Sequence, residues 1–167
     1  MSIWWSLHLP REAASVPLAR RLLLGTMETA GVDPEISYDL SVALSEACAN
    51  AVEHGGADGA DGDYRVTAFI DGDTCRIEVT DSGPGFPQRG TVRRGPRTRS
   101  ERRPATPRGP QHPQGPAPAQ AEHGRGLFLI EALTDHVRYR DRPGRGGVVV
   151  SFDKILKWRE DSLLRVS

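Results

Sequence analysis

The chain has 167 residues, 37% of them hydrophobic, with 18 Gly, 13 Pro and a formal net charge of zero. That length holds one domain with a real core and leaves no room for two of ordinary size. Zero net charge argues against a uniformly basic nucleic-acid binder, and no apolar run approaches the roughly 20 residues that a bilayer span needs.

The start, MSIWWSLHLP, alternates Ile3, Trp5, Leu7 and Leu9 with Trp4, Ser6 and His8, and reads as a strand ending at Pro10. It has neither a basic n-region nor an apolar h-region, so no signal peptide is expected. Trp4 and Trp5 suit sheet packing or a dimer edge. Ser15 then precedes a helical pattern in which Leu18, Leu22, Leu23, Met27 and Ala30 recur at three- and four-residue spacing. Pro17 fits the first turn and Gly31 gives a stop.

Ser37 is the expected N-cap of a second helix from Tyr38 to about Glu53, apolar at Leu40, Ala43, Leu44, Ala47, Cys48 and Ala51. Cys48 falls on that apolar side and reads as an inert core thiol. The other cysteine is Cys75. Two thiols outside any CxxC pair build no disulfide framework, which fits a reduced, cytoplasmic protein. Two strands follow, with Tyr64, Val66, Ala68 and Ile70 on one face of the first and Cys75, Ile77 and Val79 on one face of the second. Asp71-Gly72 is the hairpin signal between them. The parity of the second strand carries Asp81 to the same inward face, where a carboxylate needs a partner.

From Gln88 to Ala121 the periodicity stops and Pro, Arg, Gly and Gln dominate. Eight arginines and one glutamate fall between Arg89 and Ala121, leaving 14 basic and 21 acidic side chains for the rest. An acidic globule with a basic, disordered loop is the resulting description. So long a loop inside a compact domain suits a lid. A helix is expected from Gly126 to about Thr134, apolar at Leu127, Phe128, Ile130 and Leu133. Val137 and Tyr139 mark a strand, Pro143 to Gly147 a turn, and Val148 to Phe152 a last strand. The tail, 154–167, reads as weakly helical, with Ile155, Trp158, Leu163 and Leu164 as docking residues. The order implies an α+β fold, a two-layer sandwich with one mixed, mostly antiparallel sheet and helices on one face. Residues 1–153 form its single domain.

Three segments carry candidate chemistry. Glu46 and Asn50 lie one turn apart on the second helix and project from the same face. An amide oxygen at Asn50 suits Mg²⁺ beside substrate phosphates, and Glu46 is placed to act as general base on an attacking hydroxyl. Asp81-Ser82-Gly83-Pro84-Gly85 leaves its strand as a glycine-rich turn. There the carboxylate would accept a hydrogen bond from an exocyclic amine, while Gly83 and Gly85 admit the base. His123-Gly124-Arg125-Gly126-Leu127 leads into a helix whose free N–H groups attract phosphate. Each pattern alone is common; their order and spacing together are not. His54 and His123 flank the site, but no Cys or His spacing matches a zinc site.

Glu46 to His54, EACANAVEH, resembles the N box of the GHKL ATPases. Asp81 to Gly85 resembles the G1 box and Gly124 to Leu127 the G2 box. LSEACANAVEHG and GRGLFLIEALTD are further similar to the bacterial anti-sigma-factor serine kinases, over essentially Leu7 to Phe152. The resemblance implies a Bergerat fold binding ATP with Mg²⁺, and a lid over residues 88–121. It implies Glu46 as catalytic base, Asn50 as metal ligand and Asp81 as adenine reader. Gly83 and Gly85 would shape the base pocket, and Gly124, Arg125, Gly126 and Leu127 would hold phosphates. It also implies transfer to a serine of an antagonist protein, sequestration of a sigma factor, and a homodimer. The family's last hairpin carries a Gly-Thr pair whose hydroxyl supports the adenine aspartate. Here the pair is Gly146-Gly147, so a hydrogen bond is lost unless Thr80 or water replaces it. That departure and the long lid leave a second expectation: a non-catalytic, ATP-dependent interaction module. A sensor histidine kinase ranks low because no phosphoacceptor helix pair precedes Ile3. Direct nucleic-acid binding ranks lower, because the arginine loop lacks interleaved aromatics.

Overall fold

The computed structural model describes residues 2–54, 62–81, 118–141 and 147–162, with His54 and 118–125 described by backbone alone. Eight elements follow one another: β1 (Ser2–Pro10), α1 (Ser15–Ala30), α2 (Pro34–His54), β2 (Asp63–Asp71), β3 (Thr74–Asp81), α3 (Pro118–Leu133), β4 (His136–Asp141) and β5 (Val148–Ile155). The strands form one sheet in the order β1-β2-β3-β5-β4. Every pairing in it is antiparallel, so the mixed sheet expected from the sequence is antiparallel throughout the described strands.

Period-two alternation decides which face is covered. Tyr64, Val66, Ala68 and Ile70 of β2, Cys75, Ile77 and Val79 of β3, and Val148, Val150 and Phe152 of β5 are all buried. Against them pack Ala19, Leu23 and Met27 of α1 and Leu40, Ala43, Leu44, Ala47, Cys48 and Ala51 of α2. Each large aliphatic side chain so buried contributes about 1.5–3 kcal/mol, which is the main force holding helices to sheet. Alanines at every fourth position of α2 bring its axis close to the strands. The buried Tyr64 hydroxyl shares a 2.6 Å hydrogen bond with the Ser15 hydroxyl, tying β2 to the first turn of α1.

Three boundaries differ from the sequence expectation. α2 begins at Pro34, and its cap is Asp33: the Glu35 N–H donates to the Asp33 carboxylate at 2.8 Å. Proline is at home at the first helical position, so Asp33-Pro34 starts the helix four residues before Tyr38. Ser37 instead lies inside, where its hydroxyl donates to the Asp33 carbonyl at 3.1 Å.

α3 begins at Pro118, eight residues before Gly126. The reason is local: Ala119, Gln120, Ala121 and Glu122 are strong helix formers behind an N-terminal proline. The last residues of the expected loop are therefore helical, and the rest of that loop lies outside the described residues. So do the turn at Ser82 to Gly85 and most of the turn before Val148.

Over its described residues, 154–162, the tail is not helical. β5 runs on to Ile155, and the chain continues as an extended strap. Leu156 N–H donates to the Asp73 carbonyl (2.6 Å), Asp33 N–H to the Lys157 carbonyl (2.7 Å) and Arg159 N–H to the Gly31 carbonyl (2.8 Å). The Trp158 indole donates to the Asp73 carboxylate at 2.8 Å, and the Ser162 hydroxyl to the Ala30 carbonyl at 3.0 Å. The first three of these bonds use main-chain groups of the tail. Leu156 is buried and Trp158 packs against the core, whereas Ile155 is exposed; Leu163 and Leu164 lie outside the described residues.

Candidate functional site

Glu46 and Asn50 sit one turn apart on α2, both half-buried. The side facing them is α3. Gly126 is buried, and a Cβ added there would lie 3.1 Å from Glu46 Oε2 and 3.4 Å from Asn50 Oδ1. Glycine at this position thus lets the α3 backbone approach the carboxylate and the amide together. Asn50 Nδ2 is buried without a hydrogen-bond partner. A buried donor left unpaired costs about 1–3 kcal/mol, so it marks a place where a ligand acceptor would be favoured.

Asp81 closes β3, opposite Tyr64 of β2, and is half-buried. Its Oδ1 accepts the Val148 N–H at 3.3 Å. The inward parity expected for Asp81 therefore holds, and Val148 supplies a partner that sequence reasoning missed. A main-chain donor leaves no residue-type signal; only the glycine before it was visible. Neither Thr80 nor a side-chain hydroxyl of the last hairpin is needed for that bond.

The glycine-rich segment behaves differently from the expectation of free N–H groups at a helix start. With α3 beginning at Pro118, the helix N–H groups lacking an intrahelical acceptor belong to its first four residues. Gly124, Arg125 and Gly126 follow those residues, so their N–H groups fall within the range of the helix's own i−4 bonds. Leu127 packs partly against the core. Gly83 and Gly85 lie outside the described residues. The structure thus brings Glu46, Asn50 and Gly126 together and holds Asp81 at the end of the strand beside α2.

The two thiols stay out of the chemistry. Burial pushes Cys48 up to about 12, a hydrogen bond with Tyr64 opposing it in part, and burial does the same to Cys75. Among the described residues no group of His, Cys, Asp and Glu is placed to hold a metal ion. A metal carried on nucleotide phosphates needs no such cage, because the phosphates supply most of the oxygens. The orphaned Asn50 N–H fits a nucleotide phosphate oxygen, and the amide oxygen of the same side chain would serve a Mg²⁺ carried on those phosphates.

A family profile of the histidine kinase-like ATPase domain matches residues 9–154. The chain belongs to that family. Within it, the chain is 33% identical over 138 residues to the serine-protein kinase RsbW of Oceanobacillus iheyensis, covering 83% of this chain and 79% of that protein. The serine-protein kinase RsbW of Listeria monocytogenes is 33% identical over 133 residues, covering 80% of this chain and 76% of that protein. A crystal structure of the RsbU and RsbW domains of a Mycobacterium tuberculosis protein superposes with a TM-score of 0.57 at 23% identity. It covers 91% of this chain, which spans about a third (32%) of that longer one, and it supports the histidine kinase-like ATPase fold. The α+β sandwich and the GHKL resemblance read from the sequence are both upheld.

Proposed function

We propose that this histidine kinase-like ATPase domain is an ATP-dependent protein serine kinase of the anti-sigma-factor type. The observation that carries the reading is the Glu46–Asn50 pair beneath Gly126, with the Asn50 amide buried and unpartnered. Asn50 would hold Mg²⁺ and Asp81 would accept the adenine amine. Gly83 and Gly85 would border the base, and Gly124, Arg125, Gly126 and Leu127 would hold phosphate oxygens. Bound ATP with Mg²⁺ would supply the transferable phosphoryl group. Glu46 would take the proton from the attacking serine hydroxyl as the serine oxygen bonds to the γ-phosphorus and ADP departs.

The substrate in this reading is a serine of an antagonist protein, and a sigma factor is the second partner, both in the cytoplasm. Residues 1–153 would be the catalytic domain, with 88–121 as its arginine-rich lid. A homodimer would use the β1 edge. Its nine residues carry no Asp, Glu, Lys or Arg, whereas the opposite edge, β4, carries Arg138, Arg140 and Asp141. Charges blunt an edge strand against pairing, and β1 lacks them. Incubation with γ-labelled ATP and candidate antagonists tests the reading. Label on an antagonist serine supports it, and no transfer to any antagonist defeats it.

A second reading, ATP-dependent partner binding without transfer, is favoured by α3, whose helix runs on through Gly124 to Gly126. It expects ATP-dependent partner binding with no phosphoserine formed. Tight partner binding in the absence of nucleotide counts against it.

A further inference from the structure

The geometry points to Gly147 and the main-chain N–H of Val148 as the element that positions Asp81 to discriminate between purines. The inference rests on the reading above, in which Asp81 meets the adenine amine.

The ladder between β3 and β5 runs from Thr74↔Ile155 to Thr80↔Val149 and stops there. One step further, the Val148 N–H leaves the main-chain pattern and donates to the Asp81 carboxylate at 3.3 Å. On its other side Val148 remains paired with Asp141 of β4, so it is fixed within the sheet. The carboxylate is thereby tied to a main-chain donor held in the sheet.

What aims that N–H is the residue before it. Gly147 is buried and has φ +105°, a conformation that L side chains rarely adopt. A side chain there would drive φ towards negative values and rotate the peptide group carrying the Val148 N–H. Asp81 would then keep its charge and lose its fixed direction. Where the resembled family carries a Gly-Thr pair, this chain has Gly147 followed by a main-chain donor to Asp81.

A fixed acceptor separates adenine from hypoxanthine. Adenine presents an amine donor at the position where hypoxanthine presents a carbonyl oxygen. A carboxylate held in place rewards the first and repels the second, whereas a loosened one does less of both. The consequence lies in the ratio of two affinities, which general damage to the pocket leaves alone.

The test is calorimetric titration of the full chain with ATP and with ITP. Gly147→Ala is expected to weaken ATP by about tenfold, the scale of one charge-assisted hydrogen bond, with ITP changed by less than about twofold. Gly147→Asn, which tolerates positive φ better, should lose less ATP affinity than the alanine variant. It replaces that variant in the test if circular dichroism shows the alanine form unfolded. Equal losses for ATP and ITP, or an unchanged ATP affinity, overturn the positioning role. Asp81→Asn separates the two levels. If it keeps the wild-type ATP to ITP ratio, the adenine-reading role of Asp81 fails. If it abolishes the ratio while Gly147→Ala does not change it, the positioning inference alone fails.

Discussion

The two ends of the candidate site are prepared to different degrees. At the Asp81 end, the carboxylate already accepts a main-chain donor from β5, itself locked between β3 and β4. At the Glu46–Asn50 end, the Asn50 amide has no partner and the neighbouring glycines belong to a helix begun at Pro118. The contrast follows from what supports each end. A strand end inherits the order of the sheet, while the glycines of the other end lie inside α3, whose own bonds take up their N–H groups. If Asp81 reads the base as proposed, that end is oriented by the sheet before the phosphate end is complete.

The largest break in the comparison comes from Glu46→Gln. It keeps shape and removes basicity, so phosphoserine formation should fall by about 10²–10⁴-fold. ATP affinity, set mainly at the other end, should change little, and single-turnover labelling beside calorimetry separates the two. If transfer persists at the wild-type rate, Glu46 is not the base.

Leu44→Ala sharpens the contrast by touching neither end. Leu44 is fully buried in the layer between α2 and the sheet. Its truncation should cost about 2–5 kcal/mol in denaturant unfolding. Because α2 carries Glu46 and borders β3, ATP and ITP affinities should fall together if they fall at all.

Gly126→Ala acts on the phosphate end alone. A Cβ at 3.1 Å from Glu46 Oε2 requires that side chain to shift by a few tenths of an ångström. Alanine within α3 also favours helix by about 0.5–1 kcal/mol over glycine. The variant is therefore expected to melt slightly higher and bind ATP more weakly. Stability and affinity falling in step would mean that Gly126 matters only for packing.

Near neutral pH the smallest effect is a pH dependence that belongs to the core and to neither end. Burial raises Cys48, Cys75, Tyr64 and Tyr139 to about 12, from ordinary values of 9 for the thiols and 10 for the phenols. The folded state then holds protons that the unfolded chain releases first. Stability from this source is whole below pH 9 and is lost as pH rises from 9 towards 12. Urea unfolding should accordingly give a flat profile from these groups between pH 7 and 9 and a decline above. A profile that stays flat as pH rises well above 9 would contradict the burial of the thiols.

Much of the fold was legible because its sheet alternates cleanly: Tyr64 to Ile70 and Cys75 to Val79 announce both their strands and their inward face. The Glu46–Asn50 spacing was legible for the same reason, since helical period alone puts both on one side. The start of α2 was misplaced because Ser37 looks like a cap, yet Asp33 caps one turn earlier and Pro34 pre-sets the helix. The start of α3 was missed because Ala119 to Glu122 follow a proline-rich run whose composition masked their helix propensity. The strap from Leu156 to Ser162 carries too few apolar residues for a periodic signal. Its bonds run to groups far away in sequence, most of them main-chain, which no local pattern encodes. Val148 was invisible because its contribution is an N–H that every residue except proline possesses.

That strap bears on where the gene should be cut. The family match ends at residue 154, yet the segment beyond it ties Asp73 in the β2–β3 hairpin to Ala30, Gly31 and Asp33 at the junction of the first two helices. An expression clone trimmed at the family boundary would discard this fastening and leave an unlatched corner. A fusion partner or affinity tag therefore belongs after Ser162, never in its place.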